Sequence, residues 1–208
     1  MLSTGLNIII LPDEKVKQTS IELSRKLTSK YDTYFSLDGA RYHPHITIYQ
    51  LQFPDKNFDK LNTLIREIAS ATKPITVQLG AIIHCAEYPN NGFVSWNCEY
   101  NHNLIDLQRR VLEIANSLRE GLVTAGIGAL DRSKLTPDEI HSIDTNGSLL
   151  PNLLFPFHIT IGRIRDSKEK TKEIMPRREM SFLAEKIFIG KLSEHGIVSE
   201  ILEEYSFI

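Results

Sequence analysis

The sequence predicts an α+β fold made of two pseudo-symmetric lobes around a shared cleft, with helices outside. Three observations predict it. The phrase His-Ile-Thr-Ile occurs twice, at 45–48 and 158–161, 113 positions apart. Each copy opens a candidate strand and leads into the same order of elements: a helix, a long strand and a closing strand. The closing hairpins also match, Asn91-Gly92-Phe93-Val94-Ser95 against His195-Gly196-Ile197-Val198-Ser199. A tetrapeptide can recur by chance, but one that recurs with its element order and hairpin marks an internal repeat. The expected organisation is a single bilobal domain over residues 1–208, with the two motif strands facing each other across the cleft.

The elements follow in chain order. Leu6-Asn7-Ile8-Ile9-Ile10-Leu11 is a largely β-branched apolar run closed by Pro12 and reads as a buried strand. Over 13–31, Val16, Ile21, Leu23 and Leu27 recur at about helical spacing among charged residues, which predicts a surface helix. The first motif continues as a strand to Phe53. Pro54-Asp55 then offers a helix start, with Phe58, Leu61, Leu64, Ile65 and Ile68 on one face. Strands over 75–85 and 92–99 flank a Tyr-Pro-Asn-Asn-Gly turn. A helix over 103–118 turns Leu104, Leu107, Val111, Leu112 and Ile114 inward.

Between 119 and 157 the periodicity fails. Glycines, prolines and scattered Ser, Thr and Asp make a long irregular connection, with a short helical turn near 136–140. Connections of this length are uncommon in compact domains, and this one reads as a lid or as a plain insertion. Regular structure resumes with a strand at 157–164, a helix at 167–175 and strands at 181–192 and 197–207.

Composition narrows the function classes. At 208 residues, 41% apolar and 24% charged, the chain has the make-up of an ordinary soluble globular protein. A net charge of −2 gives no global positive field to draw it onto nucleic acid or an anionic membrane. A small or terminal phosphate-bearing substrate needs only a few local positive groups. Cys85 and Cys98 fall in neighbouring strands and are expected as reduced thiols rather than a bridge. The run at 6–11 is too short for a secretory core and has no basic residue before it. No stretch approaches the roughly 20 apolar residues of a membrane span. The cytoplasm is the expected home, and no obligate protein partner is implied.

The duplicated motif carries the chemistry. Side chains alternate along a strand, so a histidine and a threonine two residues apart share one face while the isoleucines turn into a core. Two such units supply a general base, a general acid and two hydroxyl donors. That is a toolkit for cleaving a phosphodiester without a metal: imidazole exchanges a proton near neutrality, and hydroxyls stabilise charge on non-bridging oxygens. A lone histidine on a half-buried strand is ordinarily structural, and a strand threonine ordinarily reflects β-propensity. The repeat in matching element order is what favours the functional reading.

These residues resemble the two-histidine (2H) phosphoesterase superfamily, in particular bacterial and archaeal relatives of 2′-5′ RNA ligase and RNA 2′,3′-cyclic phosphodiesterase. That family carries paired His-x-Thr/Ser-x motifs on strands, as at 45–48 and 158–161. Pro44 just before His45 and Arg163 five residues after His158 also fit the pattern. The likeness in element order covers nearly the whole chain. The chain departs from it where the first motif runs on as Tyr49-Gln50-Leu51 and where the 119–157 connection exceeds that of compact members.

The resemblance implies a bilobal α+β fold with antiparallel sheets lining a central cleft. It implies a metal-independent phosphodiesterase acting on a 2′,3′-cyclic phosphate or a related 2′-linked nucleotide or RNA end, with no cofactor. His45 would then give a proton and His158 accept one, while Thr47, Thr160 and Arg163 contact the substrate. The residues alone do not fix that proton direction. A non-catalytic nucleotide or RNA-end binding module, and 2′-5′ ligation in the same cleft, are the alternatives.

Several residues carry competing readings. Strict alternation points Arg163 away from the His158 face, towards a salt bridge behind the sheet, whereas a bulge would turn it back. His43 with His45 lacks the company of other metal ligands. His84, His102, His141 and His195 show no partner pattern and are expected at the surface or in turns. Tyr49 and Trp96 could stack a base, but strand aromatics are more often core.

Overall fold

The computed structural model describes residues 2–165, 172–193 and 195–208. Its strands are β1 (Ser3–Ile10), β2 (Ile46–Pro54), β3 (Ile75–His84), β4 (Phe93–Cys98), β5 (His158–Arg163), β6 (Lys172–Met175), β7 (Met180–Ala184), β8 (Lys186–Leu192) and β9 (Val198–Ser206). Its helices are α1 (Glu14–Thr28), α2 (Phe58–Ala69), α3 (His102–Ala115), the single turn α4 (Ala125–Gly128) and α5 (Pro137–Asn146).

The strands join edge to edge in the order β6-β3-β4-β5-β2-β1-β8-β9, with β7 also on β3. Every pairing between them is antiparallel. The two motif strands are therefore neighbours in the middle of one sheet, not opposite walls. They meet at the pair Ile46–Ile159, and both isoleucines are fully buried. On one side of that junction lie β2, β1, β8 and β9; on the other lie β5, β4, β3, β6 and β7.

Helices back the sheet because their apolar stripes need cover. The α1 helix starts where the Asp13 carboxylate accepts from the Val16 amide at 2.8 Å, and it buries Val16, Leu23 and Leu27. It packs on β5, while α3 packs on β2. Gly162 permits the α1 approach: a Cβ there would lie 2.7 Å from Leu27 Cδ2. Both halves of the sheet share one continuous core with α2 and α3, including Leu61, Ile65, Val111, Val77 and Ile187.

Four further sequence expectations change. The helix expected at 167–175 is instead strand β6 over its last four residues, paired to β3; 167–171 lie outside the described residues. The strand expected at 181–192 is two, because the chain leaves β3 after Ala184, and β8, starting at Lys186, pairs with β1 over Phe188–Lys191. The short turn near 136–140 is a ten-residue helix, α5, with Pro137 in its first turn and a Thr136–Glu139 capping box. Finally, the two closing strands do not occupy equivalent places. β4 lies between β3 and β5, whereas β9 lies on the far edge and β1 takes the place next to β2.

Candidate active site

The junction fixes the geometry of the motifs. Carried one residue either way, the Ile46–Ile159 register sets His45 beside Thr160 and Thr47 beside His158. Directly opposed residues share a face, so two imidazoles and two hydroxyls form a square, with like groups on the diagonals. All four line one cavity of about 580 Å3.

Each motif then breaks its own alternation at its second isoleucine. On β2, Tyr49 pairs with Ile8 and Thr47 with Ile9, so Ile48 is an extra, bulged residue. On β5, Gly162 pairs with Val94 and Thr160 with Ser95, so Ile161 is the matching bulge. A bulge reverses the alternation beyond it. Gln50 and Arg163 therefore return to the cleft, while Tyr49 and Gly162 turn into the core. The reversal also settles the two readings of Arg163 against a salt bridge behind the sheet. Its guanidinium sits 4.7 Å from the Phe93 ring and 5.3 Å from the Tyr34 ring, with Nε donating to Asn91 O at 3.3 Å.

Backbone carbonyls fix both imidazoles. His45 Nδ1 donates to His43 O at 2.7 Å and His158 Nδ1 donates to Pro156 O at 2.9 Å. A carbonyl only accepts, so each Nδ1 keeps its hydrogen and each Nε2 is the position that gains or loses a proton. Burial pulls the His45 pKa down to about 4, against the His43 carbonyl bond, with further repulsion from His158 and His43. Burial lowers His158 as well, opposed by its bond to Pro156.

One residue near the motifs carried no signal in the sequence. Asn7, fully buried on β1, donates from Nδ2 to Thr47 Oγ1 at 2.9 Å and meets His45 Nε2 at 3.3 Å. Ser95 and Asn97 on β4 line the cleft beside Thr160 and His158. His195, expected in a turn, also lines it, stacked on Phe35 with ring centroids 5.9 Å apart. His84, expected near the surface, is fully buried, whereas His102 and His141 are exposed. Tyr49 and Trp96 are fully buried, as the core reading expects. Cys85 and Cys98 are free thiols.

The 119–157 connection builds one wall of the cavity through Ile127, Leu130, Leu149, Pro151 and Phe155. The Phe155 ring lies 5.6 Å from the His158 ring. Buried polar side chains behind the sheet hold this wall. Tyr49 Oη donates to Asn146 O at 2.7 Å, and Gln108 bridges Ile48 O and Pro151 O at 3.0 and 3.1 Å. Arg119 donates to Leu122 O and Thr145 O at 2.8 and 2.9 Å. Among the described residues, no three His, Cys, Asp or Glu side chains group so as to hold a metal ion. Nor, among them, is any helix long and apolar enough to cross a membrane.

A mixed helical and antiparallel fold with two His-x-Thr strands abreast in one cleft defines the class. The chain belongs to the 2′-5′ RNA ligase superfamily, whose sequence profile matches residues 12–192. No curated protein sequence matches it. Among solved structures it is similar to TT0787 of Thermus thermophilus, at 16% identity and a TM-score of 0.60, covering 98% of this chain and 97% of that one. It is also similar to E. coli LigT complexed with NADP+, at 17% identity and a TM-score of 0.55, covering 99% of each chain. E. coli LigT complexed with 3′-AMP gives 15% identity and a TM-score of 0.56, again over 99% of each. At these identities the likeness is one of fold.

Proposed function

We propose that this chain is a metal-independent phosphodiesterase that opens a 2′,3′-cyclic phosphate or a related 2′-linked nucleotide or RNA end. The observation that carries the reading is the square of His45, Thr160, His158 and Thr47 on one face of the central strands. One Nε2 takes a proton from water as the water oxygen bonds to phosphorus. The bond from phosphorus to a ribose oxygen breaks, and that oxygen takes a proton from the other Nε2. A phosphomonoester results, and solvent exchange restores the single shared proton. Thr47 and Thr160 donate to the non-bridging oxygens, and Arg163 supplies positive charge at the cleft edge. The superfamily relationship and the nucleotides named with E. coli LigT support a nucleotide-bearing substrate.

Purified protein in EDTA is expected to open nucleoside 2′,3′-cyclic phosphates. His45→Ala and His158→Ala should each lower kcat by about 10²-fold or more. Undiminished turnover in both variants would defeat the proposal. The superfamily's own description favours a second reading, in which a 5′-hydroxyl replaces water and joins two RNA ends through a 2′-5′ bond. Product analysis on RNAs with defined ends separates hydrolysis from joining.

A further inference from the structure

Asn7 is a primary amide set in an otherwise apolar stretch of β1, from Leu6 to Ile10, and it is wholly buried. Both hydrogens of its Nδ2 are engaged, one on Thr47 Oγ1 and one towards His45 Nε2. Its Oδ1 is buried with no partner. Ile9 pairs with Thr47, and Asn7, two residues before it on β1, lies on that same face beneath His45 and Thr47.

The accounting of donors and acceptors has one favoured solution. His45 Nδ1 already carries a hydrogen, on His43 O. An amide N–H pointed at Nε2 is therefore matched only when Nε2 is bare. If Nε2 were protonated, two donors would face each other, and relief would require the amide to turn over. The turned amide would offer Oδ1 to His45 and Thr47 but leave both N–H groups buried without acceptors. That is worse than the present single orphaned oxygen. Thr47 is affected too. Its oxygen accepts from Asn7, which leaves its own O–H hydrogen free for a group in the cleft.

We propose that Asn7 is a positioning residue, whose amide keeps His45 Nε2 unprotonated in the free protein and turns the Thr47 hydroxyl into a donor towards the substrate. Its part in turnover rests on the phosphodiesterase reading above, with His45 as the imidazole that takes the proton, the reverse of the direction the resemblance implied; its effect on His45 does not. The other titratable groups acting on His45 are His43 on the preceding segment and His158 on β5, both disfavouring its charge. Arg163 and His195 stand further along the cleft walls. Burial of His45 acts in the same direction as Asn7.

Histidine-selective NMR on the free protein tests this without any substrate. In the wild type at pH 7, His45 should be neutral with its hydrogen on Nδ1. Asn7→Asp puts a carboxylate beside Nε2 and should raise the His45 midpoint by about one pH unit or more. Asn7→Leu keeps the volume but removes the amide. In that background Thr47→Val should cost little further kcat, so the two losses should be strongly non-additive. A hydrogen on Nε2 in the neutral wild type would overturn the proposal, whether or not any variant folds. So would an unmoved midpoint in folded Asn7→Asp, or additive kinetic losses. Absence of turnover on every substrate would instead defeat the phosphodiesterase reading and leave the NMR result standing.

Discussion

Charging both imidazoles at once is what the cleft resists. An unperturbed pair of histidines would place the optimum of a shared-proton reaction near neutrality. Here burial lowers His45 to about 4 and lowers His158 too. The singly protonated pair therefore populates on the acid side, and the limbs belong to the pair rather than to either residue. The kcat/KM of the free protein should peak below pH 6.5, with its acid limb falling towards about pH 4; a pH–rate profile on a cyclic nucleotide checks this.

The same shifts act on stability. A histidine whose folded pKa is depressed binds more protons when unfolded, so its contribution is present above the unfolded value. It is lost as pH falls from about 6.5 to about 4, on the order of 3 kcal/mol for His45. Urea midpoints of wild type and His45→Gln should therefore converge between pH 7 and pH 4. The four motif residues were legible in the sequence because period-two alternation and duplication act within a few residues. Asn7 was not: its partners stand 38 and 40 positions away, and a lone asparagine in an apolar run has no local signature. Arg163 turned on a bulge that strand periodicity alone cannot report.

At the scale of elements, the 119–157 connection forms a wall of the cavity that hydrogen bonds anchor to the sheet. Tyr49 ties it to the first motif strand, its single hydroxyl hydrogen donated to Asn146 O at 2.7 Å, with Asn116 Oδ1 also near the hydroxyl at 3.1 Å. Burial pushes that phenol up to about 12, so it remains a donor across the working range. Tyr49→Phe keeps the ring in the core but removes the hydroxyl that makes this anchor. It should cost about 1–2 kcal/mol in urea unfolding and raise KM more than it lowers kcat. An unchanged KM would show that the wall does not depend on this anchor. The strands and long helices were readable because each carries its own apolar stripe over ten residues or so. The 167–175 expectation failed over 172–175 because four residues hold too little periodicity to outweigh pairing with the edge of β3. Likewise the break at Glu185 shows only in the change of partner from β3 to β1.

At the scale of the molecule, neither half of the sheet is built from one half of the chain. The half holding β2 takes β1 from before it and β8 and β9 from the far end of the sequence. The half holding β5 takes β3 and β4 from between the motifs. The halves share one core and meet at Ile46–Ile159, the pair that also sets the two motifs abreast. A chain threaded this way should unfold as one cooperative unit. Trp96, the only tryptophan, is buried on β4 with Nε1 donating to Arg178 O, so its fluorescence reports the β3–β5 half. Far-UV circular dichroism reports both halves. The two probes should give coincident urea midpoints, and Ile159→Ala should lower both midpoints together, with a loss of about 2–5 kcal/mol in unfolding free energy. Separate midpoints would mean that each half folds alone. The cleft would then depend on the docking of two domains rather than on one continuous sheet.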